Sequence, residues 1–327
     1  GWQEIVHRKL GMEPVMDRSL ASRTMLVKMS SLERADELLA LCGLSPDLFY
    51  PIASSNHVTG RLDIRSSIVL GLPKGVTVVA GGFDQCCCAL GGGVLEPGTA
   101  ALTLGTLLAV VAVYDQRRLE LPLLEGNHGC GCHVQEGLYF SLAYVTSAGS
   151  ILRWYRDNIG TPEVQSARAQ GRDPYDVIVE AAPDRPSSVF LLPYFTGTGT
   201  PWLDVNQKGT IFGLTLDTDR GEIVKAVLDG ICYELRINLE SMGRAGLRFR
   251  ALRAIGGGAK SERWMQLAAD VTGVPVEAAE VAEAGCLGAA FLAGQGVGVY
   301  TSPEDIREVA TVRKTYEPRP EHAERYS

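Results

Sequence analysis

The chain has 327 residues, 46% of them hydrophobic and 21% charged, and a net charge of −7. That length accommodates two domains and a sizeable core, and the composition is that of an ordinary globular protein. The acidic balance and the lack of any dense basic run argue against a nucleic-acid partner, because phosphate binding rests on clustered Lys and Arg.

Residues 1–10 carry Glu4, His7, Arg8 and Lys9 and no signal-peptide core, so a cytoplasmic protein is expected. The longest apolar run, residues 107–113, is strand-sized and too short for a membrane span. Residues 30–43 read as a helix: Ser30 and Glu33 suggest a capping box, the leucines supply an apolar face, and Gly43 ends it. Residues 54–65 read as a loop, and residues 71–75 as a turn into a strand over 76–80. Small residues after Asp84 predict a tightly packed helix as far as Gly93. Hairpins are expected over 100–114 and 126–144, then a helix over 151–158.

Residues 160–188 are polar and contain proline, with a helix near 175–181, and residues 189–192 read as a buried strand. The longest helix is expected over 220–244, capped by Asp219 and Glu222, with Ile223, Val227, Ile231, Leu235 and Leu239 at helical spacing. Strands at 251–255 and 274–278 alternate with helices at 261–272 and 284–294, so the class is α/β. The eight cysteines fit reduced thiols better than a disulfide framework. Cys130 and Cys132, between His128 and His133, lack the usual spacing of a zinc site, and no residue is assigned to a metal.

Four glycine-punctuated segments carry the functional argument. In the first, the apolar run 78–80 ends in Gly81 and Gly82 and then presents Asp84 and Gln85, an arrangement suited to a general base at a strand end. Taken alone, Asp84 suits a helix cap better. Gly105 and Thr106 sit at a hairpin tip whose N–H groups and hydroxyl can cradle a phosphate. The segment 209–214 is followed at fixed spacing by Glu222 and Asp229. The run Gly256, Gly257, Gly258, Ala259 leads from a strand into a helix start, where bare backbone can press against a nucleotide. It is neither a P-loop nor a dinucleotide fingerprint.

Together these segments resemble the second half of the FGGY family of carbohydrate kinases, over nearly the whole chain. The resemblance implies an actin/hexokinase-like, ribonuclease H-like two-lobed ATPase fold with the first lobe incomplete: residues 1–93 its remainder, residues 94–327 the second lobe with a tail. It implies ATP with Mg²⁺ and a sugar or polyol acceptor of the xylulose type, and it allows a homodimer. Asp84 then takes the role of catalytic base and Gln85 that of a sugar ligand. Gly105 and Thr106 contact the terminal phosphates, Gly257, Gly258, Ala259 and Glu262 surround the adenosine, and Gly149 and Arg153 fall where the family lines the adenine side. The family's early Asp-x-Gly-Thr phosphate segment has no match here; the first similarity is to its Asp-x-Ser-x-Ala-Ser stretch, at Asp17, Ser19, Ala21 and Ser22. A truncated chain is therefore expected, with a non-catalytic nucleotide-binding module or inactive kinase as the alternative. An actin-like ATPase would need no Asp84 and Gln85 facing a sugar.

Overall fold

Along residues 99–114 successive side chains turn to opposite faces of a strand pair, as a period of two requires. Leu102, Leu104, Leu108 and Val110 enter one buried cluster, and Ala101, Ala109, Val111 and Val113 enter another. The strands Thr99–Leu104 and Leu108–Tyr114 therefore form the middle of a sheet covered on both faces. In the computed structural model, which describes residues 1–117, 121–281, 283–323, 325 and 326, that sheet has seven strands. Their spatial order is Val312–Tyr316, Val276–Ala279, Ala251–Ile255, Thr99–Leu104, Leu108–Tyr114, Tyr139–Val145 and Gly129–Cys132. The second, third and fourth run parallel and all other neighbours are antiparallel.

One face is covered by the helix Arg220–Arg244, which Asp219 caps by accepting from Glu222 N at 2.9 Å. Helices Gly149–Asn158 and Glu262–Thr272 pack beside it. The other face is covered by helices Asp84–Gly91 and Ala284–Gly296. These two cross so closely that a Cβ on Gly91 would strike the Ala284 backbone, and one on Gly288 the Cys87 backbone. Cys86 and Cys87 are buried there as small core residues.

Residues 1–80 contain only short pieces of sheet. Residues 16–17 pair in parallel with 52–53, and 58–61 pair antiparallel with 77–79. The helix expected over 30–43 begins only at Asp36 (Asp36–Leu41), because Leu32 adopts φ +61° in a turn that joins a small hairpin, 27–28 with 33–34. The loop expected over 54–65 instead holds the strand Val58–Arg61, and Asp63 caps the helix Ile64–Leu70. A further helix, Thr161–Gln170, occupies the proline-containing stretch.

Large apolar side chains stand exposed in this first part: Trp2 (83%), Leu41 (84%), Ile68 (75%) and Val69 (78%). Ile64, Ile68 and Val69 stand together on the helix Ile64–Leu70, and an exposed apolar patch favours association in water. The chain should accordingly run larger than a monomer in size-exclusion chromatography with light scattering. A monodisperse monomer with one cooperative melt would show that these faces cause no association.

No helix among the described residues is long and apolar enough to cross a membrane. Nor, among them, do three or more His, Cys, Asp or Glu side chains stand together to hold a metal ion. His128 shares a hydrogen bond with Ser241 Oγ at 2.9 Å, and His133 Nδ1 accepts from Gln135 N at 3.1 Å. Burial lowers both imidazoles from 6.5 to about 4. A histidine depressed in the fold stabilises it above the unfolded pKa and loses that contribution as pH falls through the folded one. Stability should therefore drop between pH 6.5 and 4, by roughly 3 kcal/mol for the fully buried His133. Thermal melts across that window should fall by several degrees, with a flatter pH slope in His133→Gln; an unchanged slope in the variant would contradict this.

Candidate active site

The strand Thr77–Val79 delivers the chain to a turn in which Gly81 takes φ +76°, a conformation L side chains rarely adopt. Asp84 follows as the first residue of the helix Asp84–Gly91. Its side chain is exposed, and Oδ1 accepts from Gln85 N at 2.7 Å. The carboxylate thus touches the first turn of its own helix and also faces open space. Gln85 Oε1 accepts from Thr103 Oγ1 at 3.5 Å, which ties the turn to the strand ending at Leu104.

Directly beyond Thr103 a cavity of about 370 Å³ opens. Gly105, Thr106, Gly149, Arg153, Gly257 and Gly258 line it, six residues expected to contact nucleotide and drawn from three separate segments. The hairpin tip is fixed there by the start of the helix Gly149–Asn158. Gly149 N donates to Gly105 O at 3.0 Å, and the N–H groups of Ala148 and Ser150 donate to Thr106 O, each at 3.1 Å. Donors that a helix start leaves unpaired are here spent on holding the tip.

The glycine run behaves unevenly. A Cβ on Gly257 would meet no atom within 4 Å, so this residue exposes bare backbone to the cavity. A Cβ on Gly258 would meet Leu104 Cβ at 2.8 Å and the Trp264 ring at 3.3 Å; this glycine serves close packing of the cavity wall. Ala259 is buried, with its carbonyl accepting from Arg313 Nη2 at 3.1 Å, and it does not line the cavity. Glu262 lies outside the cavity as well. It pairs with Lys314 Nζ at 2.8 Å in an adjoining groove of about 510 Å³, and that hydrogen bond holds its carboxyl below the usual range.

Asp173, Tyr175, Asp176, Lys260 and Trp264 also line the cavity, and none of them was assigned to the site from the sequence. Asp173 before Pro174 was a visible helix-start signal, and it does cap the helix Pro174–Ala181, accepting from Tyr175 N at 2.8 Å. Tyr175 is braced by Arg156, whose guanidinium lies 5.2 Å from the ring centre.

Asp17 is fully buried and accepts four hydrogen bonds: from Ser19 N (2.9 Å), Ser19 Oγ (2.6 Å), Ser55 Oγ (2.7 Å) and Leu20 N (3.1 Å). Burial pushes its carboxyl up, against the pull of these donors. Phe83 N in turn donates to Ser19 Oγ at 2.8 Å.

Comparison with known proteins decides what this arrangement belongs to. Residues 100–297 match the model of the C-terminal domain of the FGGY family of carbohydrate kinases, and residues 2–91 match that of its N-terminal domain. The chain belongs to the FGGY family of carbohydrate kinases. Among curated FGGY-like relatives, a glycerol kinase of Nitratidesulfovibrio vulgaris is 31% identical over 92% of this chain and 58% of its own length. A gluconokinase of Bacillus subtilis is 29% identical over 96% of this chain and 62% of its own. The chain therefore spans about three fifths of the length of the relatives it matches. A solved xylulose kinase of Lactobacillus acidophilus superposes with a TM-score of 0.86, at 24% identity, over all of this chain and 64% of that one. The actin/hexokinase-like ATPase fold of FGGY kinases is thus the fold of this chain.

Proposed function

We propose that this chain carries the base and the nucleotide-binding wall of a kinase that phosphorylates a sugar or polyol hydroxyl from ATP. One observation carries the reading: the Gln85–Thr103 contact joins the Asp84 turn to the rim of the glycine-lined cavity. Residues 1–93 would belong to the sugar-binding lobe and 94–327 to the nucleotide-binding lobe. Bound in the cavity, ATP would supply the phosphoryl group.

The other duties fall to this chain's residues. Asp84, exposed and acceptor-only when ionised, would take the proton of the attacking hydroxyl. Gln85 keeps its Nε2 free of any partner among the described residues and would donate to another sugar oxygen. Thr106 and the Gly105 backbone would face the terminal phosphates, and Gly257 would admit the nucleoside. Lobe closure would exclude water, so that a sugar hydroxyl accepts the phosphoryl group. No described cluster would hold Mg²⁺ by itself, so the metal would rest chiefly on the nucleotide's phosphates, as Mg²⁺ commonly does.

The acceptor is proposed as a small polyhydroxyl compound. A xylulose-type ketose follows the sequence resemblance, while glycerol and gluconate follow the names of the curated relatives. Calorimetric titration with ATP and ADP, alone and with each of the three, tests the reading. Nucleotide should bind, and more tightly beside the correct acceptor; absence of any nucleotide heat would overturn it.

A further inference from the structure

The Asp84 turn contains two glycines and would wander if left to itself, because glycine gives up the most conformational freedom on ordering. Side chains of three residues early in the chain, Gln3, Ser19 and Arg23, hold it. Gln3 Nε2 donates to the carbonyls of Ala80 (2.8 Å) and Gly81 (3.2 Å), and Gln3 Oε1 accepts from Asp17 N at 3.0 Å. The Arg23 guanidinium lies 5.4 Å from the centre of the Phe83 ring. Ser19 Oγ accepts from Phe83 N, one residue before Asp84.

The Ser19 hydroxyl can accept reliably only if its own proton points elsewhere, and it donates that proton's hydrogen bond to the Asp17 carboxylate. Capping alone does not account for Asp17. The other aspartates that cap helices here, Asp63, Asp173 and Asp219, are exposed, whereas Asp17 is wholly buried with no Lys, Arg or His paired to it among the described residues. Burying such a group is costly unless its hydrogen bonds are met. Gly82 allows the close approach: a Cβ there would strike the Val134 side chain first and also press on Ser19 Oγ at 3.0 Å and Asp17 Oδ2 at 3.1 Å. The same short helix, Arg18–Arg23, also reaches the edge of the large sheet, where Cys132 N donates to Ser22 Oγ at 3.1 Å.

We propose that Asp17, acting through the Ser19 hydroxyl, is a positioning residue that fixes the Phe83–Asp84 turn for proton transfer. This rests on the reading of Asp84 as the base. Ser19→Ala removes the bridge and leaves the Asp17 cap of its helix in place. Ser19→Cys keeps the volume but accepts weakly, which covers the case in which the alanine variant fails to fold.

On the full chain, the Phe83 amide should exchange with deuterium about tenfold faster in either variant, the scale of one lost hydrogen bond, while amides deeper in the Asp84–Gly91 helix keep their rates. Turnover should fall by a similar factor with the KM for ATP unchanged, a split that general loosening would not produce. Unchanged Phe83 exchange, or parental turnover in a folded variant, would overturn the proposal. If Asp84→Asn abolishes turnover while the Ser19 variants match the parent, only the positioning role fails. If Asp84→Asn itself is fully active, the base assignment fails first.

Discussion

Asp84→Asn should lower phosphoryl transfer by about two to four orders of magnitude, the range for loss of a general base, with nucleotide affinity nearly unchanged. Asparagine keeps the size of the side chain and can still accept from Gln85 N, so the local contact at 2.7 Å survives. What it loses is the basic oxygen that would receive the hydroxyl proton. Asp84 is exposed at the first helical residue, so the stability cost is limited to a charge at a helix N-terminus, about 0.3–1 kcal/mol. The variant should therefore melt close to the parent and turn over far more slowly. The opposite pattern, a lowered melt with turnover intact, would make Asp84 a helix cap and nothing more.

Gly257→Val should weaken ATP and ADP binding by about 10–100-fold, corresponding to the 1–3 kcal/mol cost of forcing methyl groups into an occupied space. The position suits the substitution because an added Cβ meets no atom within 4 Å beyond the neighbouring residues and the backbone is not in the left-handed region. A ligand in the cavity is what the branched side chain is expected to strike. Gly258→Val is the poorer test, since its side chain would strike Leu104 and Trp264 and distort the wall whether or not nucleotide binds there. Calorimetry on the folded Gly257→Val chain gives the answer, and affinity equal to the parent's would remove the nucleotide from this cavity.

Much of the second part of the fold could be read from the chain because local signals there agree with the tertiary demand. The helix Arg220–Arg244 has its cap, its apolar spacing and its end in the expected places, and the hairpin at 99–114 follows from alternation and a Gly–Thr tip. The misreadings have specific causes. Ser30 and Glu33 mimic a capping box, but pairing of 27–28 with 33–34 puts Leu32 in a left-handed turn without a glycine to announce it. Thr161–Gln170 was hidden because its proline stands at the helix start, where proline is tolerated, rather than as a breaker.

At the site, two of the four glycine-punctuated segments line one cavity, yet the sequence could not distinguish Gly257, where an added Cβ meets open space, from Gly258, where it would strike the wall. Glu262 was placed beside the adenosine by the resemblance alone. Lys314, fifty-two positions away, draws it into the neighbouring groove. The support of the Asp84 turn was out of reach for the same reason, since Gln3, Ser19, Ser55 and Phe83 meet only in the folded chain.

Phosphorus-31 NMR of the protein with ATP, Mg²⁺ and, in turn, glycerol, gluconate and xylulose tests the central claim most directly. With one of the three acceptors, a phosphomonoester signal should grow in step with ADP and vanish in Asp84→Asn. ADP appearing with inorganic phosphate alone would mark an ATPase, and bound but unconsumed ATP would mark a nucleotide-binding module; either result would contradict a sugar or polyol kinase built around Asp84.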